Sequence, residues 1–180
     1  DPYSSSKGAA EIAIASWRRS FFNPSDYGMK HHVALASVRA GNVIGGGDWA
    51  LDRIIPDCIK ALEAGKGIDI RSPKAIRPWQ HVLEPLSGYM LLATKMWEEP
   101  TKYCEGWNFG PRAESITPVW DVATDVIKNY GSGKLNDISN SNVLHEAKLL
   151  MLDISKAKFQ LGWEPRMNIH QCIELTVDWY

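Results

Sequence analysis

The sequence predicts an α/β fold, and three observations predict it. Stretches with apolar residues at helical spacing alternate along the chain with short, nearly continuous apolar runs. The helical stretches carry boundary signals, with Asp-Pro or Thr-Pro in front of a stretch and Gly or Asn-Pro behind it. No internal repeat breaks the alternation.

Asp1 and Pro2 suit the cap and first turn of a helix. Ala9, Ile12, Ala15 and Phe22 keep helical spacing until Asn23-Pro24 stops it. Val33 to Val38 reads as a short strand buried on both faces. Arg39 to Trp49 leaves that strand as a Gly-rich loop. Ile54, Ile55, Cys58, Ile59 and Leu62 mark an amphipathic helix ending near Gly65, and Ile68-Asp69-Ile70 a short strand. Pro85 opens a helix through Trp97, and Trp107-Asn108-Phe109 reads as a strand. Thr117-Pro118 caps a helix running to Tyr130, with Gly131 behind it. Gly131 to Asn142 is a loose Gly-, Ser- and Asn-rich segment, and Leu149 to Leu152 another strand. Asp153 to Leu161 is a short helix closed by Gly162, and Ile169 to Tyr180 the last one.

A formal charge of −1 and 44% hydrophobic residues describe a globular chain with no bias toward nucleic acid or an anionic membrane. Basic residues are dispersed, so an Arg that matters should bind a local anion. Cys58, Cys104 and Cys172 are widely spaced and odd in number, which points to reduced core thiols of a cytoplasmic protein. No apolar run reaches membrane-spanning length, and His31-His32 lack partners that would complete a metal shell. Trp17, Trp97, Trp120 and Trp179 read as core residues of their helices.

Tyr3 and Lys7 share a face at the head of the first helix. An ammonium beside a phenol favours the phenolate, which is what a base that removes a hydroxyl proton requires. The spacing alone suits a solvated helix face as well. Asn42 lies four residues past the end of the predicted strand at 33–38, where parallel sheets place ligands, or else forms an Asx turn. Gly45-Gly46-Gly47-Asp48-Trp49 lacks the spacing of a dinucleotide cradle and reads as a substrate-side loop. Arg77 stands beside Pro78 and Trp79 in an apolar stretch, where a guanidinium needs an anion. A diphosphate would serve, and so would Glu84. Asn108, Arg112, His145 and Glu146 are further polar residues at strand ends or loops.

In order, Tyr3-x-x-x-Lys7, Arg39-x-x-Asn42-x-x-Gly45, Arg77-x-Trp79-x-His81-Val82, Asn108-Phe109-Gly110 and Asp153-x-Ser155-Lys156-Ala157 with Leu161-Gly162-Trp163 resemble the extended short-chain dehydrogenase/reductases that act on nucleotide sugars, the NAD-dependent epimerases and dehydratases. The strings around Gly41 to Trp49, Ile76 to Tyr89 and Trp107 to Arg112 are similar to the CDP-glucose 4,6-dehydratases among them.

The resemblance implies the C-terminal part of a Rossmann-type doubly wound parallel sheet, interleaved with a small α/β substrate-binding subdomain over residues 1–180. The glycine-rich cofactor-binding half would lie upstream, so the 180 residues by themselves should neither hold NAD tightly nor turn over. It also implies Tyr3 and Lys7 as catalytic residues that touch NAD, and Ala40 near the nicotinamide carboxamide. Asn42 would meet the sugar and Arg77 the diphosphate of a CDP-sugar. Arg53, Ile54, Asp69, Arg71 and Asn108 would line the nucleotide. Relatives often carry an Arg shortly before the acidic residue aligned with Glu146; Ser141 to His145 has none, and His145 could take its place. The complete enzyme would be a homodimer. Another nucleotide-sugar epimerase or dehydratase, or a non-catalytic nucleotide-sugar-binding remnant, are the alternative readings.

Overall fold

In the computed structural model, which describes residues 1–140 and 150–180 (the Glu114 side chain excepted), Asp1 caps the first helix as expected, Oδ1 accepting the Ser4 N–H at 2.8 Å. The elements run α1 (Pro2–Ser20), β1 (Ser37–Ala40), β2 (Asn42–Ile44), α2 (Ile54–Glu63), β3 (Ile68–Ile70), β4 (Ile76–Arg77), β5 (Trp79–His81), α3 (Leu83–Glu98), β6 (Gly106–Phe109), β7 (Thr117–Pro118), α4 (Val119–Tyr130), β8 (Leu135–Asp137) and α5 (Ile169–Trp179). The chain forms two units. Asp1–Arg39, Ser87–Phe109 and Ile154–Glu164 make the first, and Ala40–Leu86, Gly110–Asp153 and Pro165–Tyr180 the second.

In the first unit β1 pairs with β6, and the Ser37 N–H extends the pairing to the Glu105 carbonyl at 3.0 Å. Its core gathers Leu92, Trp107, Phe109, Leu161 and Trp163, with Phe109 and Trp163 edge to face at 4.9 Å. Gly88 lets α3 approach β6, because a Cβ there would sit 2.2 Å from Phe109 Cδ1. A π-helical turn over Ala157–Leu161 ends at Gly162 in the left-handed region, φ +72°, where glycine carries no side-chain penalty.

In the second unit β2 pairs parallel with β5 and β3 with β8, while β4 runs antiparallel to β7. The core is built by α2, α4 and α5, through Ile55, Ile59, Val122, Val126 and Ile173 with the strand residues Ile44, Ile68 and Ile70. α5 starts with a capping box between Asn168 and Gln171. Glu84 is buried, and its carboxylate takes the backbone N–H groups of Arg166 (2.9 Å) and Met167 (2.6 Å).

The sequence reading is corrected at several places. The strand expected over 33–38 begins at Ser37, because its partner β6 spans only four residues. Asn42–Ile44, expected in a loop, is extended, since it finds β5 alongside. Leu135–Asp137, inside the segment expected to be loose, is a strand held by β3. Residues 150–152 form no strand, and Leu149 lies outside the described residues. Trp17, Trp97 and Trp179 are 56%, 88% and 60% exposed, so they are not core. Tertiary packing decides which helix face is covered, and α1 buries no residue at all. The three cysteines are free and buried, as expected.

Candidate functional site

The second unit contains an open cleft of ≈ 420 Å³. Its walls come from the register of β2 and β5. Asn42 pairs with Trp79, and the Asn42 N–H donates to the Pro78 carbonyl at 3.1 Å. The strands can close this far because residue 41 is glycine: a Cβ there would lie 2.6 Å from the Pro78 oxygen. Pro78 interrupts the run between β4 and β5 and separates Arg77 from Trp79, and all three residues Asn42, Arg77 and Trp79 line the cleft. Asp69 and Arg71, on and just after β3, line it too, as does Ile54 at the head of α2. A hollow of ≈ 100 Å³ shares Asn42, Ile54 and Trp79 with the cleft and adds Gly45, Asp48 and Arg53.

Charges in the cleft are held locally. Arg71 Nη2 meets Asp52 Oδ1 at 2.7 Å, an exposed ion pair that contributes little stability. Asp69 Oδ1 accepts from Asn136 Nδ2 at 2.8 Å across the β3–β8 pair. Burial pushes the Asp57 carboxyl above its ordinary value. Arg77 Nη1 donates to the Ile76 carbonyl at 2.8 Å. Trp79 is 7% exposed, and its indole N–H has no hydrogen-bond acceptor among the described residues.

The structure thus brings Asn42, Arg53, Ile54, Asp69, Arg71 and Arg77 to the walls of two adjoining hollows. Tyr3 and Lys7 are together in the first unit, on the first two turns of α1, with Lys7 Nζ 5.6 Å from the Tyr3 ring centroid and Tyr3 70% exposed. Asn108 lies on β6 in the same unit, its side-chain oxygen accepting from Arg39 Nη1 at 3.2 Å. Arg39 also pairs with Glu11, whose carboxyl it holds below the ordinary range. Ala40 ends β1. Arg112 donates through Nε to the Pro165 carbonyl at 3.1 Å, and His145 and Glu146 lie outside the described residues. The sequence reading missed Trp79, Asp52 and Asp57 as cleft residues. Trp79 was within reach, since it sits two positions from Arg77 in the same motif. Asp57 follows Arg53 by one helical turn.

No family model matches the chain. It is 49% identical over all 180 residues to CDP-glucose 4,6-dehydratase of Salmonella typhimurium, covering 50% of that protein. It is 25% identical to dTDP-glucose 4,6-dehydratase of Haemophilus influenzae, covering 51% of it. The chain therefore spans about half the length of the curated relatives it matches. Among solved structures it resembles dTDP-glucose 4,6-dehydratase of Bacillus anthracis in complex with NAD, with a TM-score of 0.79 and 21% identity over 100% of this chain and 52% of that one. UDP-glucuronic acid 4-epimerase of Bacillus cereus, in complex with UDP-glucuronic acid and NAD, gives 0.77 and 21%, over 99% and 52%. Over its whole length the chain is thus similar to half of a CDP-glucose 4,6-dehydratase, and it has the Rossmann-type fold of the NAD-dependent epimerases and dehydratases.

Proposed function

We propose that this chain is the substrate-binding part of a hydro-lyase that converts CDP-glucose to CDP-4-dehydro-6-deoxyglucose. The observation that carries this reading is the cleft of the second unit, where Asn42, Asp69, Arg71 and Arg77 border one space of ≈ 420 Å³, within the range of small-molecule sites. Identity of 49% to an enzyme of that name supports the choice of nucleotide.

In this reading Tyr3 takes the proton of the sugar C4 hydroxyl, and Lys7, one turn along α1, keeps positive charge beside the phenol. The exposed face bearing both side chains is open to the nicotinamide ribose, which fits NAD as cofactor, and Ala40 would lie near the carboxamide. NAD would supply a reversible hydride acceptor at this face, with Tyr3, Lys7 and Ala40 the residues of this chain that would hold it, and the net reaction would lose water across C5 and C6. Arg77 spans two diphosphate oxygens with its planar fork. Asn42 holds the sugar, and Arg53, Ile54, Asp69, Arg71 and Asn108 serve the nucleotide. His145 and Glu146 are assigned to the phosphate side of the same ligand. The unsaturated ketone must survive until hydride returns, so the working site has to exclude water.

The test uses the complete polypeptide with NAD and CDP-glucose deuterated at C4. The expected product is CDP-4-dehydro-6-deoxyglucose with deuterium at C6 and no net consumption of NAD. Unchanged CDP-glucose would refute the reading, and faster turnover of the dTDP or UDP sugar would move the chain to another dehydratase of the same fold.

A further inference from the structure

The end of α5 reaches the loop that borders the smaller hollow. Tyr180 Oη donates to the Asp48 carbonyl at 2.6 Å. The Tyr180 ring meets Trp49 edge to face at 5.0 Å and Trp179 at 5.1 Å. Trp179 lies so close over the loop that a Cβ on Gly46 would be 2.0 Å from its Cγ, and Gly47, at φ +79°, turns beneath the same ring. From α2, Lys60 Nζ donates to the Trp49 carbonyl at 2.7 Å. The loop over 46–49 is therefore gripped at four successive residues, with Lys60 holding the Trp49 carbonyl as well, while Gly45, Asp48, Asp52 and Arg53 of the same stretch line the hollow that adjoins the cleft.

α5 is a rigid post for such a grip. Ile169, Cys172, Ile173 and Val177 are buried in the core of the unit, and the capping box fixes its start. Trp179 is 60% exposed, so hydrophobic burial is a poor account of its place. Its ring is spent on glycine backbone that no other residue type could offer it at this distance.

We infer that Trp179 and Tyr180 are positioning residues: they hold the loop over 46–49 so that Asp52 stands at the ligand cleft and Arg53 at the hollow adjoining it, and they tune affinity for the nucleotide sugar without touching it. The inference rests on the preceding reading only for the identity of the ligand.

Tyr180→Phe removes one hydroxyl and keeps the ring. In the complete polypeptide this variant should keep its kcat and lose only a few degrees of thermal midpoint, while KM for CDP-glucose and the dissociation constant of CDP rise about 2- to 12-fold, the worth of one hydrogen bond. Hydrogen exchange of the backbone amides in 46–53 should quicken by a similar factor, with exchange elsewhere unchanged. Trp179→Ala should do the same more strongly. Unchanged exchange over 46–53 in both variants would overturn the inference, and so would faster exchange with unaltered KM and CDP affinity. If the parent protein shows no affinity for CDP, the functional reading fails. The exchange measurement then decides the grip alone.

Discussion

Gly41→Ala tests the strand contact on which the cleft depends. The added Cβ would lie 2.6 Å from the Pro78 carbonyl oxygen, 2.8 Å from Pro78 Cγ and 3.2 Å from its Cβ. Ordinary contact begins at 3.4 Å, so β2 and β5 must part by about 0.8 Å, the difference between 3.4 and 2.6 Å. The Asn42 N–H to Pro78 bond, 3.1 Å long, would stretch beyond hydrogen-bonding range. Losing it costs about 0.5–1.5 kcal/mol, and overpacking costs about 1–3 kcal/mol. Together these give roughly 2–4 kcal/mol, or a thermal midpoint lower by roughly 10 °C for a domain of this size. The displacement also carries Asn42 away from Trp79, and an error of about 1 Å at a reacting site can cost about a hundredfold in rate. Thermal unfolding and turnover of the complete polypeptide measure both. A midpoint within about 1–2 °C of the parent, with unchanged turnover, would refute the close approach of these strands at Gly41.

A Cβ added to Gly8, within α1, would meet nothing within 4 Å, so Gly8→Ala should raise the unfolding free energy by about 0.5–1 kcal/mol; a loss in urea unfolding would show a contact on that face. Arg77→Lys keeps the charge but not the fork, and CDP affinity by calorimetry should fall about tenfold, whereas unchanged affinity would remove Arg77 from diphosphate binding. Trp79→Phe removes a buried donor without acceptor, so the gain of about 1–3 kcal/mol should offset the smaller ring, leaving the urea midpoint near that of the parent. A sharp drop would mean that the indole N–H is satisfied. Burial holds the His81 imidazole below its ordinary pKa of 6.5, and its Nδ1 accepts the Leu83 N–H at 3.3 Å. The unfolded chain then binds the proton at higher pH, so stability is full above about 6.5 and is lost as pH falls toward the lower folded value. His81→Gln should flatten that part of the thermal-midpoint profile between about pH 7 and 5, and identical slopes in variant and parent would contradict the assignment.

Elements whose signals are local were legible in the sequence. Asp1-Pro2, Gly131 and Gly162 act within one turn, and the helices they bound appear where the spacing places them. Elements that exist because a distant segment lies alongside were not. Nothing within Asn42–Ile44 or Leu135–Asp137 distinguishes a strand from a loop; β5 and β3, 35 or more residues away, supply the missing hydrogen bonds. For the candidate site, Asn42 and Arg77 could be singled out by residue type and setting, Asp69 and Arg71 only through the family resemblance, and all four border one cleft. Asp52 could not, since its place follows from a left-handed backbone at φ +59° that no neighbouring residue announces. Exposed tryptophans misled for a related reason: residue type suggests burial, but only a packed neighbour delivers it.

The interleaving of the two units bears on how such a binding surface can be exchanged between proteins. Nearly every wall of the cleft, from Asn42 to Trp79, belongs to the single stretch Ala40–Leu86, with Val119 the exception. Its struts do not: Asn136, which steadies Asp69, and Tyr180, which grips the Asp48 carbonyl, come from the two other stretches of that unit. A chimaera that swapped residues 40–86 alone would transplant the cleft surface onto foreign supports, so an altered ligand preference would have to travel as three coordinated pieces of sequence or arise by single substitutions in place.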